Sequence, residues 1–212
     1  MASKRKDSNG DITPAELASR LLAARGDGFV VPTDMEDTPA GLKDLFSVLN
    51  SVAGQAPVLQ RDWFLHPLQI VDAKEAGAAG VVGVIASVAG DRGTPVLSSF
   101  AAALGLDCPV EIVNLKELKA MEAMGVPFYG MNISVGLTVN IAGFGADVTH
   151  GLLGELPFGV ASIAGVKSVE EARAAKLSGA DALLIKKELV QQWVGNEAEL
   201  VERLRDATCG DD

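Results

Sequence analysis

PVLQRDWFLHPLQIVDAKEAG, residues 57–77, reads as one complete strand-then-helix unit. The stretch from Pro57 to Phe64 opens with a short apolar run and ends in polar residues, as a buried strand does when it surfaces. His66-Pro67 then starts a helix, with Pro at the first helical position, where a missing N–H costs nothing. Gly77 ends it. A second apolar run follows at once, Val81-Val82-Gly83-Val84-Ile85-Ala86.

Outward from this unit the alternation repeats. On the N-terminal side, Thr13-Pro14-Ala15-Glu16 predicts a capped helix ending at Gly26, followed by a strand at Phe29-Val30-Val31. Leu42, Leu45, Phe46 and Leu49 recur at helical spacing, with Asp37 or Thr38 as the expected cap. On the C-terminal side a helix is expected over 95–104, a strand over 109–113 and a helix over 115–124. Phe128–Asn132 is the next strand. The glycine-rich section 133–156 is read as a short helix and one functional loop. Strands at 158–163 and 181–185 follow, the first leading into a helix capped by Ser168 and ending at Gly179; a tail helix over 196–205 closes the chain. Repeated βα units imply a parallel sheet, either a barrel or a doubly wound sheet. No G-x-G-x-x-G follows a strand, which weighs against dinucleotide binding. There is no linker or compositional break, so residues 1–212 are read as one domain. In both folds function sits at the carboxyl ends of strands, which singles out Asp34, Arg61, Glu111, Asn132, Ser162 and Lys186-Lys187.

Apolar residues make up 48% of the chain, which suits strands buried on both faces. The net charge of −10 disfavours nucleic acid and anionic membranes as partners. Lys4-Arg5-Lys6 is read as a solvated flank rather than a nucleic-acid arm. Cys108 and Cys209 show no CxxC spacing, and Cys108 is expected in the core. His66 and His150 are too isolated for a metal centre, so neither metal nor cofactor is expected. No run approaches the ~18 to 20 apolar residues of a membrane span. The polar start predicts a soluble protein, or one whose targeting peptide has been left off.

The 57–77 block resembles the indole-3-glycerol-phosphate synthase family, which has a Lys-Asp-Phe strand end, an Asp-Pro-Tyr-Gln helix start and an Ala-Gly helix end at the same spacing. PVEIVNLKEL at 109–118, GMN at 130–132, AGVKSVEEA at 164–172 and SGADALLIKKELV at 178–190 extend the resemblance to the C-terminal part. KRKDSNGDITPAELA extends it, more weakly, to the start. The resemblance implies a (β/α)8 barrel of the ribulose-phosphate-binding type, here with a truncated first strand and no N-terminal capping helix. It implies ring closure with loss of carbon dioxide and water from an anthranilate-substituted ribulose phosphate. A proton donor, carboxylates and a phosphate anchor serve that chemistry.

Carried over by position, the resemblance places the family's third-strand lysine on Arg61, whose pKa above about 12 makes it a very weak proton donor. The first-strand lysine falls on Lys4, and the glutamate two residues before it on Ala2. The fifth-strand glutamate is kept as Glu111 and the sixth-strand asparagine as Asn132, while the following arginine falls on Ser134. The seventh-strand Ser-Glu-Ser-Gly reads Ser162, Ile163, Ala164, Gly165, so a carboxylate is replaced by an apolar side chain. The eighth-strand Gly-Ser falls on Lys186 and Lys187, and Trp63 stands where the family has an aromatic over the substrate ring. The Ser-Pro-Ser loop reads Asp7-Ser8-Asn9. Expected ligand contacts are Arg61, Trp63, Ser162, Gly165, Lys186 and Lys187, with Trp63 equally readable as a packing residue and Lys186-Lys187 as a solvated surface pair; Glu111 and Asn132 have structural alternatives, Glu111 as an ion-pair partner of Arg61 or Lys4. Three functions stay open. The preferred one is a barrel without catalysis, acting as an accessory subunit of a larger assembly or binding a sugar phosphate. The others are an active synthase and a lyase or isomerase on another sugar phosphate. A plastid stroma or a bacterial cytoplasm would suit any of them.

Overall fold

The computed structural model describes residues 12–34, 40–134 and 146–209. Its elements alternate from the start: α1 (Pro14–Ala23), β1 (Phe29–Pro32), α2 (Gly41–Val52), β2 (Val58–Arg61), α3 (Pro67–Glu75), β3 (Gly80–Val82), β4 (Val84–Ile85) and α4 (Ala86–Ala103). There follow β5 (Val110–Ile112), α5 (Leu115–Ala123), β6 (Phe128–Met131), α6 (Ala146–Gly154), β7 (Ala161–Val166), α7 (Val169–Leu177), β8 (Ala182–Ile185), α8 (Lys187–Gln192) and α9 (Glu197–Thr208). All strand pairs are parallel and sequential, β1-β2-β3 and β4-β5-β6-β7-β8. This is the (β/α)8 barrel architecture. The expected truncated first strand and missing capping helix concern the chain before Ile12, which lies outside the described residues.

The expected strand over 81–86 is in fact two short ones. Gly83 adopts φ +116, and a Cβ there would run into the Asp62 carbonyl oxygen. Only glycine holds that conformation, and it breaks the stave between β3 and β4. The helix expected over 95–104 begins at Ala86 instead. Its two arms meet at Gly90 (φ 74, ψ 168), and Pro95 lies inside the second arm. The caps predicted at Thr13 and Ser168 are present, each accepting from the backbone N–H three residues on. Asp37 and Thr38 lie outside the described residues; α2 follows Ala40, which supplies no side-chain cap. The six-residue α8 had no counterpart in the sequence reading, since Lys186 is its N-cap and Lys187 its first residue.

Side chains alternate along each strand, and the two faces separate cleanly. Val31, Val58, Val110, Tyr129, Ala164 and Val166 join the core between sheet and helices. Val30, Leu59, Val82, Ile163 and Leu184 meet Ile133 in a second apolar cluster inside the barrel.

Candidate functional site

The inward face of the barrel carries charge near the carboxyl ends of the strands. Arg61 ends β2 and is 8% exposed. Its Nη1 donates to Asp34 Oδ2 at 3.0 Å, just beyond β1. Thr33 Oγ1 beside it donates to Asp62 Oδ2 (2.7 Å) and accepts from Gln60 Nε2 (2.9 Å). The guanidinium is therefore held by a neighbouring carboxylate through Nη1, while its Nε–H is buried without a hydrogen-bond partner among the described residues.

Glu111 lies on β5, 3% exposed. The expected ion pair between Glu111 and Arg61 is not formed. Both Glu111 oxygens accept from one residue instead: Ser134 donates its backbone N–H to Oε2 and its hydroxyl to Oε1, each at 2.8 Å. The reason is reach. Arg61 pairs across to β1, while Ser134 at the end of β6 closes over β5. Burial pushes the Glu111 carboxyl above its ordinary range, against the opposing pull of the two Ser134 hydrogen bonds and of the Arg61 and Lys186 charges. Gly130 between them leaves room for Ile133, whose Cδ1 lies 2.7 Å from where a Cβ would stand.

Asn132 follows β6 with φ 54, a left-handed conformation that asparagine tolerates. Its Nδ2 donates to the Gly165 carbonyl (2.8 Å), and its Oδ1 accepts from Lys186 Nζ (3.0 Å). Gly165 is required here: a Cβ would collide with the Asn132 carbonyl oxygen and stand 3.0 Å from Lys186 Cε. Desolvation lowers the Lys186 pKa; the carboxylates of Glu188, Glu171 and Glu111 act against it, and Lys167 with it. Lys187 is exposed.

Other expected site residues lie elsewhere. Ser162 was placed at a carboxyl end, but it is the second residue of β7 and faces away from the barrel interior. Its hydroxyl and backbone N–H both reach Asp181 Oδ2 at 2.8 Å, before β8. Its register partner is Tyr129 on the same outward face. The next residue, Ile163, is the one that points inward. Trp63 is half-buried; its carbonyl accepts from Gln69 Nε2 (2.7 Å), which ties the β2–α3 loop to α3. His66 caps α3 through Nδ1, and His150 lies on α6. Lys4, Ala2, Asp7-Ser8-Asn9 and most of the expected functional loop, residues 135–145, lie outside the described residues. Asp34 and Ser134 complete the site; the sequence marked Asp34 only as a strand end and Ser134 only as a replaced arginine. No described helix is long and apolar enough to cross a membrane, and the described residues hold no cluster of three or more potential metal ligands among His, Cys, Asp and Glu.

A parallel barrel with polar side chains gathered where its strands end defines a protein of the (β/α)8-barrel class. The chain belongs to the indole-3-glycerol phosphate synthase family, whose model matches residues 3–201. An indole-3-glycerol phosphate synthase of Opitutus terrae is 29% identical over 199 residues, covering 89% of this chain and 73% of that protein. One from Exiguobacterium sibiricum is 30% identical, covering 92% and 75%. Both relatives are bacterial, and they give the expected plastid location no support. Among solved structures, 3-hexulose-6-phosphate synthase superposes with a TM-score of 0.65 at 20% identity, covering 91% of this chain and 94% of that one. A structure titled native KDPGal superposes at 0.66 with 16% identity, covering 92% and 91%. At these identities the likeness is one of fold.

Proposed function

We propose that this family member has lost indole-3-glycerol phosphate synthesis and serves as an accessory subunit whose barrel mouth binds a phosphorylated ligand. The observation that carries this is Ile163. It stands where the resemblance puts the seventh-strand carboxylate, and it packs inward against Val30, Val82 and Ile133. Among the described residues three of the remaining polar groups are paired: Arg61 Nη1 with Asp34, Glu111 with Ser134, Lys186 with Asn132. Arg61 also takes the place of a proton-donating lysine with a group that hardly releases a proton. General acid–base groups contribute about 10²–10⁴-fold each, so losing a lysine and two carboxylates removes most of the rate. The reading of residues 1–212 as one domain belongs with this proposal, supported by a helix-facing core that runs from Ala18 to Leu204.

Retained Glu111 and Asn132, both tightly held, favour a second reading in which some synthase activity survives. A synthase assay on wild type, Arg61→Lys and the double variant Arg61→Lys/Ile163→Glu decides between them. The first reading expects no indole-glycerol phosphate from wild type, and turnover by wild type overturns it.

A further inference from the structure

Among the described residues, Lys186 combines the chemistry of a nucleophile with a built cradle around it. Its stem lies over Gly165, where any Cβ would crowd Cε. Its Nζ rests on Asn132 Oδ1, and the other end of that amide is fixed to the Gly165 carbonyl. Asn132 holds this pose from a left-handed backbone conformation, which asparagine adopts more readily than most residues that carry a Cβ. An amide oxygen accepts from an ammonium and, more weakly, from a neutral amine, so Asn132 can position the nitrogen in either state. Lys186 is only partly buried. Beside it, the exposed Lys187 supplies a second positive charge.

We propose that Lys186 captures small open-chain aldehydes or ketones carrying an anionic group, as a reversible imine. This deepens the ligand-binding reading above and rests on it. The amine lone pair forms the C–N bond while the carbonyl π pair moves to oxygen, which takes up the proton shed by nitrogen. The resulting hydroxyl then takes a proton from solvent and leaves as water, the nitrogen lone pair closes the C=N bond, and the nitrogen returns its remaining proton to solvent. One amine and one carbonyl give one imine and one water, with no change of oxidation state. Partial desolvation of Lys186 favours the neutral amine this step needs. Asn132 is a positioning residue, acting through the lysine.

The test uses the full chain with glyceraldehyde 3-phosphate and sodium cyanoborohydride, which reduces the imine to a stable secondary amine. Peptide mass mapping then locates the adduct. Lys186 should be modified about tenfold or more faster than the exposed Lys119 and Lys167, because its nitrogen is held in place by Asn132 while theirs are not. Unphosphorylated glyceraldehyde should react more slowly at Lys186 and equally at the surface lysines. Lys186→Arg should lose that adduct, Lys187→Arg should keep it, and Asn132→Leu should slow Lys186 while leaving Lys119 unchanged. Labelling spread over lysines by exposure alone overturns the inference in wild type, independently of whether any variant folds. Binding of inorganic phosphate by calorimetry with no Lys186 adduct also overturns it, while leaving the ligand-binding reading in place. Lys186 labelling in a protein that also turns over the synthase substrate upholds the inference and overturns the loss of synthesis.

Discussion

Single side chains set the electrostatics of this barrel. Glu111 is buried and its pKa is raised, so the folded chain holds its proton to higher pH than the unfolded chain does. Its contribution to stability is therefore complete below the ordinary carboxylate pKa and is lost as pH rises through the folded value. Glu111→Gln removes that loss. Its amide can still accept from the Ser134 N–H and can donate to the Ser134 hydroxyl. Urea unfolding from about pH 4 to about pH 8 should show the variant gaining on wild type as pH rises. A constant difference would mean that Glu111 is not titrating in this range. Tyr129 is fully buried, its hydroxyl has no hydrogen-bond partner among the described residues, and burial pushes its pKa up to about 12. Tyr129→Phe removes an unsatisfied group at nearly constant volume. It should raise unfolding free energy by about 1 kcal/mol, read from the urea midpoint at unchanged slope.

At the scale of elements, termini and breaks matter more than helix propensity. α3 is held by a reciprocal cap in which His66 Nδ1 accepts from the Leu68 N–H (3.2 Å) and Gln69 Oε1 accepts from the His66 N–H (2.9 Å). His66→Ala should cost about 1 kcal/mol in thermal or chemical unfolding, and His66→Ser should restore most of it. The stave break at Gly83 is stricter, because both its φ and the approach of the Asp62 carbonyl exclude a side chain. Gly83→Ala should destabilise by about 3 kcal/mol, measured as a shift in the urea midpoint; a near-neutral result would mean that the β2 end relaxes freely.

The whole molecule can be followed through its two thiols. Cys108 is buried and pushed up to about 12, mainly by desolvation and further by Glu111 and Asp107, whereas Cys209 is exposed. A thiol reagent should modify Cys209 in the native protein at once and reach Cys108 only when the barrel opens. Its rate should follow global unfolding across urea concentrations. Fast labelling of Cys108 in native buffer would reveal local opening between β4 and β5. What the sequence by itself determined is the order of βα units, the caps at Thr13 and Ser168, and the family, because periodicity, capping and spacing are properties of neighbouring residues. It also located Arg61, Glu111, Asn132 and Lys186 at strand ends. Tertiary structure alone decided their partners. Arg61 meets Asp34 rather than Glu111, Glu111 is closed by Ser134, and Ser162 turns outward to Asp181. Each of these depends on strand register and on which way a side chain points. A pleated strand reverses that direction at every residue, so a shift of one position separates an interior Ile163 from an outward Ser162.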